Sequence, residues 1–363
     1  MKLTINTAKL QEMLMRATKG VGNNKLIPLT SLIAIELRNN KLTLITTDAT
    51  NYLYVSQDKV EGDDFYVVVQ VETFAKLIAR MTCENVTLEL LTNTLKVSGN
   101  GNYNIELPLD ENGELIKYPD PLANFDASLA NGTINLSTAK VILNTVKPAL
   151  AVTMEAPCYT GYYAGVKVVA TDTYKICGLN VNLFNEPVLI SPEMMDLLDV
   201  MTEEKIAFQI SDDTIIFTTN DCQIYGKKLD GIEDYQIEAI EGLLGKEFNS
   251  MCKIPKSALL QLLDRLSLFV GTYDKNGVYL TFTKDGLMVS SKASSGTEII
   301  QYQDSKNFQD FTCCIDIEML RTQVKAQASD MIEMYYGLPN AIKMVDGNVT
   351  QIVALLEDDR MAE

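Results

Sequence analysis

VKVVATDTYKICGLNV, Val166 to Val181, sets two apolar runs around Thr171, Asp172, Tyr174 and Lys175. A Thr-Asp pair beside a lysine suits a catalytic or metal-binding group, or a turn between two strands. The rest of the chain bears on the choice. KLTLITTDATNYLYV, Lys41 to Val55, has the same shape, and GLMVSSKASSGTEIIQY, Gly286 to Tyr302, takes the matching place later without the Thr-Asp pair. Self-similarity at a long period marks a repeat of supersecondary units.

The flanking segments recur too. LTINTAKLQEMLMRATKG, TINLSTAKVILNTVKPAL and CKIPKSALLQLLDRLSLF each read as a short strand and an amphipathic helix, with Thr7, Ser137 and Pro255 at the N-cap or first turn. FYVVVQVETFAKLIARM, PVLISPEMMDLLDVM and FTCCIDIEMLRTQVKAQ read as a second strand and helix, each followed by further strand-like runs. The first helices start near 7, 137 and 256 and the second near 72, 191 and 316, so the copies lie 119–130 residues apart. Each copy reads β-α-β-β-β twice. Polar, Pro and Gly residues in YPDPLANFDAS and EGLLGKEFNSM place the junctions there. The expected domains are 1–126, 127–246 and 247–363. Six helices against many strands predict an α+β fold, with two helices covering one side of a largely antiparallel sheet in each domain. Such domains leave strand edges, which pairing with the next domain or a second chain removes.

Composition narrows the chemistry. The chain has 363 residues, seven cysteines without a C-x-x-C pair, and no histidine. Zinc sites and Ser-His or Cys-His catalysis are therefore not expected, nor any cofactor or metal. No glycine-rich phosphate loop or nucleophile elbow is present. The acid pairs Asp212-Asp213 and Asp358-Asp359 are the best material for a carboxylate hydrolase, and their adjacency in loops reads as solvation. No apolar run is long enough to span a bilayer and no secretory leader is visible, so a cytoplasmic location is expected.

The net charge is −17. Alone, that argues against nucleic acid. Its distribution argues otherwise. The six helices carry Lys9, Arg16, Lys19, Lys76, Arg80, Lys140, Lys147, Lys256, Arg265, Arg321 and Lys325, which are 11 bases, against 8 acids, leaving −20 on the rest. Lys9 and Arg16, and Lys140 and Lys147, are seven apart; Lys76 and Arg80, and Arg321 and Lys325, are four apart, spacings that share a helix face. The helix SPEMMDLLDVM, with three acids and no base, departs from the pattern, as do Lys256 and Arg265.

Along essentially its whole length the chain resembles the bacterial DNA polymerase III beta subunit family, the sliding clamps. KLIPLTSLIAIEL with LTLITTDATNYLYV is similar to that family's Leu-Pro-Ile-Leu loop and Thr-Asp turn. VATDTYKICGLNV and YGKKLDGIEDYQIEAI are similar to its second-copy motifs. The resemblance implies a non-catalytic processivity factor. Two chains join head to tail into a ring of six domains, helices inside and sheets outside. The ring encircles duplex DNA without reading its bases. A polymerase and a clamp loader insert short apolar peptides between domains 2 and 3. By position, that pocket takes Tyr159, Thr171, Thr173, Tyr174, Lys175, Ile176, Ile237, Ile352, Val353, Ala354 and Leu355. Asp172 is then a turn former whose carboxylate bonds local backbone N–H groups. The homodimer interface takes Tyr103, Ile105, Phe269 and Val270.

The sequence departs from the family at Tyr174-Lys175, where His-Arg is usual, at Glu233, where Pro is usual, and at Ile237, where a basic residue is common. A divergent clamp with its own peptide preference is expected. Three repeats rather than two argue against the two-domain trimeric clamps. The alternative is an acidic repeat interaction protein with a clamp-like fold that does not encircle DNA.

Overall fold

The computed structural model describes residues 1–22, 24, 26–122, 130–153, 156–271, 275–292 and 295–357. The 126/127 boundary and Asp358-Asp359 lie outside them. The order β-α-β-β-β runs through the chain six times, with one further helix and one short strand added.

The helices are α1 (Thr7–Ala17), α2 (Val71–Ala79), α3 (Leu136–Val141), α4 (Pro192–Leu197), α5 (Ile237–Leu244), α6 (Lys256–Leu266) and α7 (Ile317–Ala326). In α1 the apolar residues Leu10, Met13, Leu14 and Ala17 repeat at helical spacing and are buried. Its cap is Asn6, whose side chain accepts from the Lys9 N–H at 3.3 Å; Thr7 is the first helical residue. Pro255 is the residue before α6, and Asp316 caps α7 by accepting from Glu318 and Met319. After α3 the helix widens to a π turn over Ile142–Val146 and tightens to a 3-10 turn over Lys147–Ala149. Pro148, in that last turn, has no N–H to continue an α pattern.

The helix α5 was not expected. The second junction reads as a loop from Glu241 to Met251, but Glu241–Leu244 is helical and Ser250 already begins a strand. Ile237, Ile240, Leu243 and Leu244 recur at helical spacing, and all four pack on one apolar cluster. Burial of that stripe outweighs the glycine at 242.

The chain forms two compact units, Met1–Ala139 with Glu193–Lys228, and Lys140–Pro192 with the residues from Leu229 onward. The first unit holds two antiparallel sheets. One has four strands in the order Lys2–Asn6, Asn85–Leu90, Thr94–Ser98, Asn102–Glu106. The other has eight: Phe65–Gln70, Leu32–Arg38, Lys41–Thr47, Tyr52–Asp58, Cys222–Lys227, Thr214–Thr218, Lys205–Ile210, Gly132–Asn135. Helix α1 packs on α2 and on the strands Lys41–Thr47 and Tyr52–Asp58.

The second unit holds a sheet of 13 strands. Its main path runs Val188–Ile190, Tyr162–Ala164, Val168–Thr171, Lys175–Leu179, Val349–Leu356, Phe311–Asp316, Gly277–Thr283, Gly286–Ser291, Thr297–Ile300. Its largest core joins Leu259, Leu262, Leu263 and Leu266 of α6 and Leu320 and Val324 of α7 to the strands, with Phe282 stacked on Tyr336 at 3.8 Å.

One pairing recurs. The strand that ends the first half of a copy pairs with the strand that ends the second half of the next copy. In the first unit Tyr52–Asp58 meets Cys222–Lys227, with Leu53 opposite Ile224. In the second, Lys175–Leu179 meets Val349–Leu356, with Ile176 opposite Ile352.

Candidate functional site

The Thr-Asp stretch is a turn, and it is built twice. Thr171 donates its hydroxyl to the Lys175 carbonyl at 2.8 Å and accepts from the Thr173 N–H at 3.0 Å. The Asp172 carboxylate accepts from the N–H groups of Tyr174 (3.0 Å) and Lys175 (2.8 Å) and pairs with the Lys175 ammonium. In the first copy Thr47 and Asp48 make the same bonds to Ala49, Thr50 and Asn51. Thr173 at φ 77° and Ala49 at φ 84° take the same left-handed position, held by these bonds although neither is glycine. Both aspartates serve the backbone. Among the described residues no group of three His, Cys, Asp or Glu side chains is placed to hold a metal.

In the second unit the turn borders an apolar face. Cys158, Val169, Ile176, Leu189, Tyr235, Ile240, Ala341 and Ile352 are buried there, with Tyr159, Tyr163, Ile232, Ile237, Leu243 and Leu244 half-buried around them. The structure thus gathers Tyr159, Ile176, Ile237 and Ile352 from the sequence-derived pocket. It leaves Tyr174 59% exposed beside them, with its carbonyl accepting from the Ala354 N–H at 2.8 Å. Thr171 is buried within the turn and Thr173 is exposed. Val353 and Leu355 face the other way. Successive residues of a strand face opposite ways. Ile352 lies on the apolar face, so Val353 is fully buried in the core of the third copy and Leu355 packs against that same core.

Sequence reasoning missed what covers this face. The segment from Leu229 to Leu244 crosses it and ends in α5. Leu244 sits so close to Gly178 that a Cβ there would come within 2.7 Å of it. Lys343 donates to the carbonyls of Leu244 (3.2 Å) and Lys246 (3.0 Å), a cation at the negative end of α5. Burial pulls the Lys343 ammonium below its ordinary range, against the charge of Glu247. On the other flank Lys167 pairs with Glu241 at 3.0 Å. Tyr235 donates its hydroxyl to the Val169 carbonyl at 3.3 Å, and burial raises its phenol far above the usual value. Burial likewise pushes the thiols of Cys177, Cys222 and Cys252 up to about 12, so they stay protonated and inert.

The eleven helix cations divide. Lys9, Lys19, Arg80, Lys140 and Lys325 are exposed and make no ion pair among the described residues. The others are held. Arg16, with a side chain only 10% exposed, donates Nη1 to Asp221 at 2.6 Å and Nε to the Val200 carbonyl at 3.0 Å. It is not on a free basic face, despite its spacing from Lys9. Lys76 pairs with Glu72, Arg265 with Glu298, and Arg321 with both Asp264 and Glu318. Lys256 donates to the Gln327 carbonyl, and Lys147 is half-buried with a partner of its own.

The interface candidates lie at two strand ends. Among the described residues Asn102–Glu106 pairs only with Thr94–Ser98; on it Tyr103 is 41% exposed and Ile105 is buried. Thr297–Ile300 likewise pairs, among the described residues, only with Gly286–Ser291. In the same unit Phe269 is 51% exposed, Leu268 and Ile299 are exposed, and Val270 is half-buried against the core.

Residues 1–117 match the family model of the DNA polymerase III beta subunit, N-terminal domain. No curated protein matches the sequence. Solved structures match over nearly the whole chain. The beta subunit of DNA polymerase from Streptococcus pyogenes has 17% identity and a TM-score of 0.87, covering 99% of this chain and 100% of its own. The DNA polymerase sliding clamp of Bacillus subtilis has 16% and 0.84, covering 99% of each. The sliding clamp of Pseudomonas aeruginosa, solved bound to griselimycin, has 14% and 0.83, covering 99% of this chain and 100% of its own. The chain therefore has the α+β fold of the bacterial beta subunits throughout, in a divergent sequence, and its first 117 residues match the model of that family's N-terminal domain.

Proposed function

We propose that the chain is a DNA sliding clamp, a non-catalytic subunit with domains 1–126, 127–246 and 247–363 that closes into a head-to-tail homodimeric ring around duplex DNA. The observation that carries this is the recurrent strand pairing. The first copy joins the second through Tyr52–Asp58 and Cys222–Lys227, and the second joins the third through Lys175–Leu179 and Val349–Leu356. By the same rule Thr297–Ile300 calls for a next copy, and Asn102–Glu106 for a preceding one. A second chain satisfies both, twice, and the contact closes. Tyr103 and Phe269 are the exposed aromatic anchors that such an interface needs. Helix cations then meet phosphates without base contacts, and topology rather than affinity retains the ring. A polymerase and its loader dock through short apolar peptides at the face around Tyr174 and Ile237.

The test is negative-stain microscopy of the purified protein with sedimentation. Closed rings of six similar lobes, at twice the chain mass, are expected. Compact monomers at micromolar concentration overturn the proposal. One observation favours the alternative of an acidic interaction protein: Arg16, Lys76, Arg265 and Arg321 are already neutralised by acids of the same chain. That reading predicts no ring and no salt-dependent DNA contact.

A further inference from the structure

The segment that crosses the apolar face has two sides of different character. Leu229, Ile232, Tyr235, Ile237 and Ile240 pack inward. Asp230, Glu233, Asp234 and Glu238, between them, are exposed and make no ion pair among the described residues. From Asp230 to Glu241 there are five acids and no base. Glu241 alone is matched, by Lys167. The acids stand close to the apolar surface: a Cβ on Gly231 would lie 3.7 Å from an Asp234 carboxylate oxygen and 3.8 Å from Cys158 Cβ. Burial raises the Cys158 thiol, and the Asp234 charge adds to that rise. The one cation in the neighbouring turn, Lys175, is spent on Asp172, both side chains being largely buried. Tyr174 offers an exposed ring, which attracts cations through its face.

We infer that this face takes an apolar peptide flanked by lysine or arginine, with Asp230, Glu233, Asp234 and Glu238 as the specificity-determining rim. The inference rests on the docking function proposed above and adds the charge of the partner. The apolar core of the peptide supplies affinity at Tyr159, Tyr174 and Ile237. The acidic rim supplies selection, favouring basic flanks and repelling acidic ones.

Fluorescence anisotropy on the full chain tests it. Three labelled decapeptides share a Leu-Leu-Phe core and carry lysine, serine or glutamate flanks. At low salt the lysine peptide should bind about tenfold tighter than the serine peptide, and the glutamate peptide more weakly than both. At 1 M NaCl, where screening is nearly complete, the three should converge. The double substitution Glu233→Lys with Asp234→Lys leaves the rim with no net charge and should bring the three affinities close together at low salt. Both sites are exposed, and the salt titration of the unaltered chain tests the charge effect without any variant. Equal affinities at low salt overturn the charge inference and leave peptide docking intact. Failure of all three peptides overturns docking at this face and the inference with it.

Discussion

Arg16 and Arg265 are each the tenth residue of an eleven-residue helix, α1 in the first copy and α6 in the third. Their surroundings differ. Arg16 is buried and reaches from the first copy into the second, to Val200 and to Asp221, just before the strand that pairs with Tyr52–Asp58. Arg265 meets no following copy among the described residues. It folds back on its own edge strand, where Nε and Nη2 hold Glu298 at 2.8 and 2.6 Å, and it stays exposed. The same position in the repeat is thus a lock where the next copy exists and a surface pair where it does not. A junction made during folding can afford a buried charge. In the proposed ring the junction between chains has to open for DNA to enter, and such a junction is better held by apolar contact at a strand edge.

The sharpest way to break the comparison is at the open end. Phe269→Asp places a charge where an aromatic anchor is proposed. We expect the dimer dissociation constant to rise about 100-fold or more, measured by sedimentation, with the fold kept. A variant that remains dimeric at the same concentration removes the interface from this edge.

The locked end should answer in stability. Arg16→Met leaves Asp221, one third exposed, without its partner. A fully buried broken pair costs about 3–5 kcal/mol, and the exposure of Asp221 reduces the expected loss to about 2 kcal/mol. Urea unfolding of the first unit, followed by hydrogen exchange, measures it. Arg265→Met should leave the transition of the second unit, which holds it, unmoved. If the two substitutions act alike, the distinction between lock and surface pair fails.

Acid provides a milder probe. Burial alone would raise the Asp221 carboxyl, but the Arg16 hydrogen bond and charge overcome it and hold the group below its ordinary value. A carboxyl depressed in the folded state stabilises fully above its unfolded pKa, about 3.9, and loses that contribution as pH falls through the lower folded value. The unaltered chain should therefore lose stability more steeply below about pH 4 than Arg16→Met does.

The lock was not legible in the sequence, and the reason is distance. Arg16 bonds groups 184 and 205 residues away, and helical spacing from Lys9 says nothing of them. The counter-ions Asp221 and Glu298 come from loops and strands, outside any count of helix charges. The Thr-Asp turns were legible because the side-chain bonds that shape them span two to four residues. The β-α-β-β-β order was legible because it rests on alternation and helical stripes. Helix α5 had its signal in Ile237, Ile240 and Leu244, and Gly242 within it and Gly245 at its end hid it. Val353 had its signal too, since it neighbours Ile352 in a strand and must face the other way.

The smallest expected effect separates two accounts of Arg265. In one it is held in reserve, to cross to the partner chain as Arg16 crosses to the second copy. In the other it only shields its own edge strand. The sequence of the opposing edge favours the second. SGNGNYNIE, Ser98 to Glu106, has no acid in the turn before its strand, where TTNDCQIYG, Thr218 to Gly226, has Asp221. Arg265 would find no carboxylate at the place where Arg16 finds Asp221. Glu298→Gln should then change the dimer dissociation constant less than about threefold, as an exposed pair does, and flatten its dependence on salt. Tightening of the dimer by tenfold in Glu298→Gln would show instead that Glu298 restrains Arg265, and that the open end becomes a lock once a second chain is in place.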